Sequence, residues 1–427
     1  MNIESIHSLF LKCSSVSIDT RKIESNSFFV AIKGDRFDAN TFAKEAIEKG
    51  ASYVVIDNEG YYIDERTILV EDCLLALQEL ARFHREYLKL PIVALTGSNG
   101  KTTTKELINA VLSKKYNTKA TVGNLNNHIG VPLTLLSFTP QTEIGIVEMG
   151  ANHQKEIEFL CEIAQPDYGY ITNFGKAHLE GFGGVEGVIK GKSEMYTFLL
   201  RNNKTVFVNL DDPIQVEKTG SLNVFTFGID KANADVMITA VNANPFVEVT
   251  FLNTVVHSNL IGLYNANNIN AAIAIGKYFG VANEDIKQAL ESYVPENNRS
   301  QLIHRNSNEI ILDAYNANPS SIAVAITNFI QLKREGKIMV LGDMFELGKD
   351  SINEHKNVVE SLLDQEDIMC FFVGKDFYSN KKQSENFHFY NTFDDFVNDF
   401  KQHHFQNKII LIKGSRGMAL ERTLELI

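Results

Sequence analysis

The chain has 427 residues, a formal net charge of -12, and 44% hydrophobic and 22% charged residues. That length exceeds what one hydrophobic core ordinarily serves and points to two or three domains, while the balance of residue types excludes a disordered or fibrous protein. A negative surface repels phosphate, which argues against a non-specific grip on nucleic acid or anionic lipid, so any phosphate must be held by a local device.

Residues 1–90 read as a small α/β unit. The opening Met1-Asn2-Ile3-Glu4 has no basic run, and Leu9-Phe10-Leu11 is too short for the apolar core of a signal. Short β-branched and aromatic runs at Ser27 to Ile32, Tyr53 to Asp57 and Thr67 to Val70 alternate with an amphipathic stretch from Thr41 to Lys49. A helix is predicted over Cys73 to Leu88, ended by Pro91, and a buried strand opens at Ile92-Val93-Ala94-Leu95.

From residue 91 the pattern is that of a parallel sheet with crossover helices: strands at Ile144 to Glu148, Tyr168 to Thr172 and Thr205 to Asn209 are separated by helical periodicity. Between Val224 and Leu260 only alternating strand-like segments occur, which predicts an antiparallel appendage. Helices return at Ala266 to Phe279 and Asn283 to Tyr293. Near residue 300 a second strand and helix series starts: Ile310 to Asp313, Ser320 to Leu332, Ile338 to Leu341, Ser351 to Leu363, Ile368 to Val373 and Ile409 to Ile412. The longest apolar runs, such as Ile368 to Val373, fall far below the ~20 residues that span a bilayer, so no membrane insertion is expected. Cys13, Cys73, Cys161 and Cys370 are scattered, suggesting neither a disulfide framework nor a zinc knuckle, and a cytoplasmic setting fits.

Thr96-Gly97-Ser98-Asn99-Gly100-Lys101-Thr102-Thr103 follows a predicted strand and precedes helical periodicity from Thr104 to Lys114. This is the context of a phosphate-binding loop. Glycines let backbone N–H groups close on phosphate oxygens, a helix N-terminus faces the charge, Lys101 reaches the terminal phosphates, and Thr102 offers a hydroxyl to Mg2+. The common spacing would place a glycine at Leu95, so the loop is a shorter variant starting at Gly97.

Three further groups follow strands at the edge where open α/β sheets gather ligands, or lie just beyond one. Glu148 ends a strand, His178 lies in the loop after Tyr168 to Thr172, and Lys192 lies on a helical pattern with Glu194 and Tyr196. Taken singly, each is more often a structural or solvated side chain. Their order after the phosphate loop is what gives them weight.

Together these segments resemble the Mur ligase family, whose members share a phosphate loop of this kind, then a Glu at a strand end, a His and a Lys. Further matching strings are Asp19-Thr20-Arg21, Phe28 to Gly34, Asn124 to Leu133, Asn209 to Pro213, Asp313 to Pro319, Leu341 to Gly348 and Lys413 to Met418, so the likeness covers nearly the whole chain. Asp38-Ala39-Asn40 departs from the family's usual Asp-Gly-His. The resemblance implies an α/β protein of three domains: 1–90 binding a UDP-linked precursor, 91–298 a central parallel-sheet ATPase domain, and 299–427 a Rossmann-like domain closing over ATP and binding the incoming dipeptide. It implies an ATP-dependent ligase joining D-alanyl-D-alanine to UDP-N-acetylmuramoyl-tripeptide through an acyl phosphate, in peptidoglycan precursor synthesis.

Residue by residue, the resemblance carries ATP to Gly97 through Thr103, with Asn265 and Asn268 near adenine, Asp313 near the ribose and Arg299 on the phosphates. It implies two Mg2+ ions held among Thr102, Glu148, His178 and a carbamylated Lys192. Thr20 and Arg21 would hold the uridine end, and Asn127, Lys413, Ser415 and Arg416 the remaining substrate groups. Lys101, Glu148, His178, Lys192 and Arg299 would serve the reaction itself. The expected assembly is a monomer. Two rivals stay open at the level of sequence: a sister ligase adding another amino acid to the precursor or glutamate to folate, and a nucleotide switch that performs no ligation.

Overall fold

The computed structural model describes residues 1–34, 37–296 and 298–427. Three large sheets lie along the described chain, beside a two-stranded ribbon of Lys33–Gly34 and Phe37–Asp38. The first contains the strands Ser15–Ser17, Ser27–Val30, Ala51–Ile56 and Thr67–Leu69, all parallel. The second has nine strands and the third six.

The central sheet is covered on both faces, and its middle strand shows why. Successive residues of a strand point to opposite faces. Within Ile92–Thr96, Ile92 and Ala94 belong to one buried cluster and Val93 and Leu95 to another, so an unbroken apolar run serves two helical layers. Strands Thr118–Ala120, Ile144–Glu148, Ile92–Thr96, Tyr168–Ile171 and Thr205–Asn209 lie side by side and parallel. The segments expected to form an antiparallel appendage instead extend this same sheet. Asn223–Ile229 and Val236–Ala243 continue it in parallel, and only Phe246–Phe251 and Thr254–Ile261 run antiparallel. The helix Pro213–Thr219 supplies the crossover that parallel pairing requires, and its few apolar residues hide it from a periodicity search.

The third sheet runs Gln301–Arg305, Asn308–Asp313, Ile409–Lys413, Lys337–Gly342, Met369–Val373, Phe387–Tyr390, with only the first strand antiparallel. Its strands also face two ways: Met339 and Leu341 pack into one cluster, Ile338 and Val340 into another. The helix Phe393–Phe400 covers the far side with Phe396 and Phe400 and starts at a capping box on Thr392 and Asp395. No helix of the described residues is long and apolar enough to cross a membrane.

The helix Cys73–Leu88 joins the first sheet to the central one. Its Leu77 and Leu80 share a buried cluster with Phe28 and Val54 of the first sheet and with Leu135 and Leu160 of the central domain. Polar ties reinforce that packing. Arg85 donates to the Ala164 and Gln165 carbonyls, which close the helix Glu156–Ala164, and pairs with Asp167 at 2.8 Å.

A pair of buried histidines sits in the same seam. His84 Nε2 lies 3.0 Å from the Phe138 carbonyl and must donate to it, which leaves His84 Nδ1 to accept from His7 Nε2 at 3.0 Å. Both rings are therefore neutral. Burial, and then the neighbouring His84, lower the His7 pKa to about 4, and burial lowers that of His84. A histidine depressed in the fold protonates more readily when unfolded, so its contribution is complete above its ordinary pKa of about 6.5 and is lost as pH falls toward 4. Thermal scans at stepped pH are expected to show the wild type losing on the order of 2 kcal/mol more than His7→Phe between pH 7 and pH 4.5. Parallel pH profiles for the two proteins would contradict this.

Candidate active site

The phosphate loop leaves the strand Ile92–Thr96 and enters the helix Lys101–Leu112. The helix begins three residues before the apolar periodicity does, because its first turn, Lys-Thr-Thr-Thr, is polar. Two glycines make the turn possible. Gly97 has φ 149°, and a Cβ there would strike the Thr172 side chain; Gly100 has φ 77°, and a Cβ there would come within 2.5 Å of Asn268 Oδ1. The first helical bond runs from Thr104 N to the Gly100 carbonyl, so the N–H groups of Lys101 to Thr103 form an unpaired helix start that favours an anion.

Beside this turn lies a cavity of about 840 Å³ between the central and third domains. Ser98, Asn99, Gly100, Lys101, Thr102 and Thr103 line it, together with Asn127, Glu148, His178, Asn265, Asn268, Arg299, Asp313 and Lys413. Of the residues expected at the site, Gly97, Thr20, Arg21, Lys192, Ser415 and Arg416 are not on the cavity wall.

Lys101 Nζ donates to the Gly97 carbonyl at 2.8 Å. Burial lowers its pKa, the Glu148 charge opposes that shift, and Arg299 adds to it. Glu148 is 1% exposed. Its Oε1 accepts from Thr102 Oγ1 at 3.3 Å and Asn126 Nδ2 at 2.8 Å, while Oε2 has no partner. Asn126 was not singled out by sequence, since nothing distinguishes it from its neighbour Asn127. Asn127 instead spends its Oδ1 on the Ile129 and Gly130 N–H groups at 3.1 and 2.9 Å. Fully buried Lys105 donates to the Thr121 carbonyl at 2.5 Å and so fixes the segment leading to Asn126.

Lys192 is fully buried on the helix Val185–Arg201, with Nζ unpaired and 5.2 Å from the centre of the Phe182 ring. Burial, and then the Lys101 charge, hold its pKa well below the usual lysine value. His178 takes a left-handed backbone, φ 53°, and its Nδ1 bonds Glu346 of the third domain, which lowers the Glu346 pKa. Its Nε2 remains for a ligand. Among the described residues no three His, Cys, Asp or Glu side chains form a ready metal cage.

Asn265 and Asn268, though on the cavity wall, are buried and spend their amides within the protein. Asn268 accepts from Thr104 Oγ1 at 3.0 Å and donates to Asn265 Oδ1 at 2.8 Å, and Asn265 donates to the Ile261 carbonyl at 2.8 Å. On the third domain Asp313 accepts from Lys413 Nζ at 2.6 Å and Ser300 N at 3.2 Å, so the Lys413 charge is already paired. Ser415 is buried and accepts from Phe345 N at 2.9 Å. Arg416 is exposed, 5.5 Å from the Tyr315 ring, and the Arg299 guanidinium stacks on the same ring at 3.6 Å. Tyr315 was missed as a site residue, although it stands in the string Asp313 to Pro319.

In the first domain, Arg21 is exposed and paired with Asp19 at 2.8 Å, which holds the Asp19 carboxyl down at about 2. Asn40, where the family pattern has histidine, is buried and donates to both Asp38 and Asp57 at 2.6 and 2.7 Å. It braces the end of the strand Ala51–Ile56.

A strand, phosphate loop and helix facing a second α/β domain across one cavity define a nucleotide-dependent enzyme of several domains. The chain belongs to the Mur ligase family. The family's catalytic domain matches residues 12–85, the Mur ligase middle domain residues 95–276, and the glutamate ligase domain residues 298–416. The UDP-N-acetylmuramoyl-tripeptide--D-alanyl-D-alanine ligase of Bacillus subtilis (strain 168) is 34% identical over 423 residues, covering 96% of this chain and 92% of that one. The enzyme of the same name from Escherichia coli (strain K12) is also 34% identical, with the same coverage. Among solved structures, MurF from Acinetobacter baumannii superposes with a TM-score of 0.87 at 30% identity, over 99% of this chain and 97% of that one. MurF ligase from Thermotoga maritima in complex with ADP gives 0.83 at 27% identity, over 98% and 97%.

Proposed function

We propose that this chain joins D-alanyl-D-alanine to UDP-N-acetylmuramoyl-tripeptide with hydrolysis of ATP to ADP and phosphate, a cytoplasmic step of peptidoglycan precursor synthesis that serves cell wall growth, shape and division. The observation that carries the reading is likeness to ligases of that name along nearly the full length of both chains, with the phosphate loop and the third domain's Asp313 and Arg299 facing one cavity.

A carboxylate resists attack by an amine because oxide would have to leave. Transfer of the γ-phosphoryl group to the tripeptide carboxylate expels ADP and gives an acyl phosphate; the dipeptide amine then attacks its carbonyl carbon, loses a proton and expels phosphate. Lys101 and the N–H groups of Lys101 to Thr103 would hold the phosphates, Arg299 would meet them from the third domain, and Asp313 would face the ribose. Keeping three substrates in register is chiefly a matter of positioning.

The donor set suits Mg2+. The orphaned Glu148 Oε2 and the Thr102 hydroxyl beside Oε1 are hard oxygens at the loop. His178 Nε2 and a carbamylated Lys192 would complete a second position. Lys192 fits that modification because its buried, unpaired amine favours the neutral, CO2-reactive form. Bound there, Mg2+ would offset charge on the transferring phosphoryl group.

Purified protein supplied with ATP, Mg2+, D-alanyl-D-alanine and the UDP-tripeptide carrying either lysine or diaminopimelate is expected to release phosphate and form UDP-pentapeptide. Turnover with free amino acids or folate and none with the dipeptide would overturn the reading. Arg21→Ala is expected to raise KM for the UDP-tripeptide about tenfold or more and to leave KM for ATP within about twofold, because Arg21 lies off the ATP cavity. Equal changes in both constants would count against a separate uridine domain.

A further inference from the structure

We infer that Asn318 is a positioning residue that couples the phosphate loop to docking of the third domain, through its side-chain bond to Asn99. The inference rests on the ATP reading given above.

Asn318 is buried at the N-cap of the helix Pro319–Gln331. Its Oδ1 accepts from Ser321 N at 2.9 Å, and only the amide oxygen can do so, which fixes the orientation of the group. The Nδ2 is then directed across the domain boundary and donates to Asn99 Oδ1 at 2.7 Å. One end of the amide closes a helix of the third domain; the other holds the phosphate loop.

Asn99 is well placed to transmit that contact. Its N–H donates to Asn173 Oδ1 at 3.1 Å, and its carbonyl accepts from Thr172 Oγ1 at 2.6 Å and Asn173 Nδ2 at 3.0 Å. The backbone is thus anchored to the end of a central strand, and among the described residues the Asn318 amide is the side chain's one hydrogen-bond partner. A second contact reinforces the approach: Lys176 N donates to Ser320 Oγ at 2.6 Å. The ion pair Lys176–Glu354, at 2.7 Å, is half-exposed on the lysine side and contributes little by comparison.

The helix that meets the loop tip follows directly on the strand end and turn bearing Asp313 and Tyr315. Any shift of Asn99 that accompanies nucleotide binding therefore alters the docking of the surface that meets the nucleotide from the other side. By linkage the effect is reciprocal: docking improves nucleotide affinity by the same factor that nucleotide improves docking.

The test uses Asn318→Ser in the full chain. Serine caps a helix about as well as asparagine but cannot reach Asn99. The expected result is an ATP affinity and a kcat each lowered about fivefold or more, an unchanged KM for the UDP-tripeptide, and a melting temperature within about 2 °C of wild type. Asn99→Ala, which leaves the cap untouched, should produce a similar loss, and the double variant should be no worse than either single one. Wild-type values in Asn318→Ser, or losses that multiply in the double variant, overturn the inference. A wild-type protein that turns over no ATP would instead strike the ATP reading on which it rests.

Discussion

Lys101→Ala is expected to lower ligation by about a thousandfold or more while leaving the melting temperature within about 2 °C of wild type. The ammonium makes one bond in the fold, to the Gly97 carbonyl at 2.8 Å, so little packing depends on it. Its charge, however, sits on the wall of a partly buried cavity, where Coulomb terms are larger than in water. Developing negative charge on the transferring phosphoryl group would lose its nearest fixed cation. Lys101→Arg is expected to fail as well, because a planar guanidinium cannot occupy the space of a compact ammonium inside a tight loop. Phosphate release at saturating substrates, read beside a thermal melt, checks both. Activity within tenfold of wild type in Lys101→Ala would sink the assignment of the loop.

Lys192 gives the second large effect, with opposite signs for stability and activity. A fully buried amine without a partner carries a desolvation penalty, and burial lowers its pKa. Lys192→Met keeps the volume and removes the polar atom, so the variant is expected to be more stable by about 1–2 kcal/mol and at least a hundredfold less active. If the working form is the carbamate, Lys192→Ala should regain part of its activity with added short carboxylic acids, and density beyond Nζ should appear in crystals grown with Mg2+ and nucleotide. A bare amine in such crystals would exclude the carbamate, and a less stable Lys192→Met would show that the amine has a partner in solution.

The parts of the site that are local in sequence were legible in it. A loop that must wrap phosphate needs glycine at positive φ followed by lysine and a hydroxyl, and it needs them consecutively, so Gly97 to Thr103 stands out as a string. The strand Ile144–Glu148 and the helix Cys73–Leu88 have the bounds that their periodicity predicts. The parts made by long-range contact were not legible. Asn99 and Asn318 meet across 219 positions, and His178 and Glu346 across 168. No spacing rule joins such pairs. Short or polar elements were also hidden: Ser15–Ser17 is too brief to show a period, and the first turn of Lys101–Leu112 has no apolar residue to announce it. The strands between Asn223 and Ile261 were visible as strands, but their alternation could not say which sheet they would join.

Apolar packing runs through both seams, since Ile311, Ile322 and Leu347 of the third domain share a buried cluster with Phe174, Leu179 and Ile261 of the central one, but the seam at the cavity adds more polar ties. The first seam is filled by Leu77, Leu80, Leu135 and Leu160 and closed by neutral histidines and carbonyls. The facing surfaces around the cavity are tied by side-chain amides, hydroxyls and ion pairs, among them Asn318–Asn99, Ser320–Lys176, Glu354–Lys176 and Glu346–His178. Water can replace each of those partners at small net loss, whereas it cannot replace a filled apolar contact. Added salt weakens the Arg85–Asp167 pair in the first seam and the Lys176–Glu354 pair in the second. The joint that borders the cavity thus carries, beside its apolar packing, the larger share of ties that water can exchange.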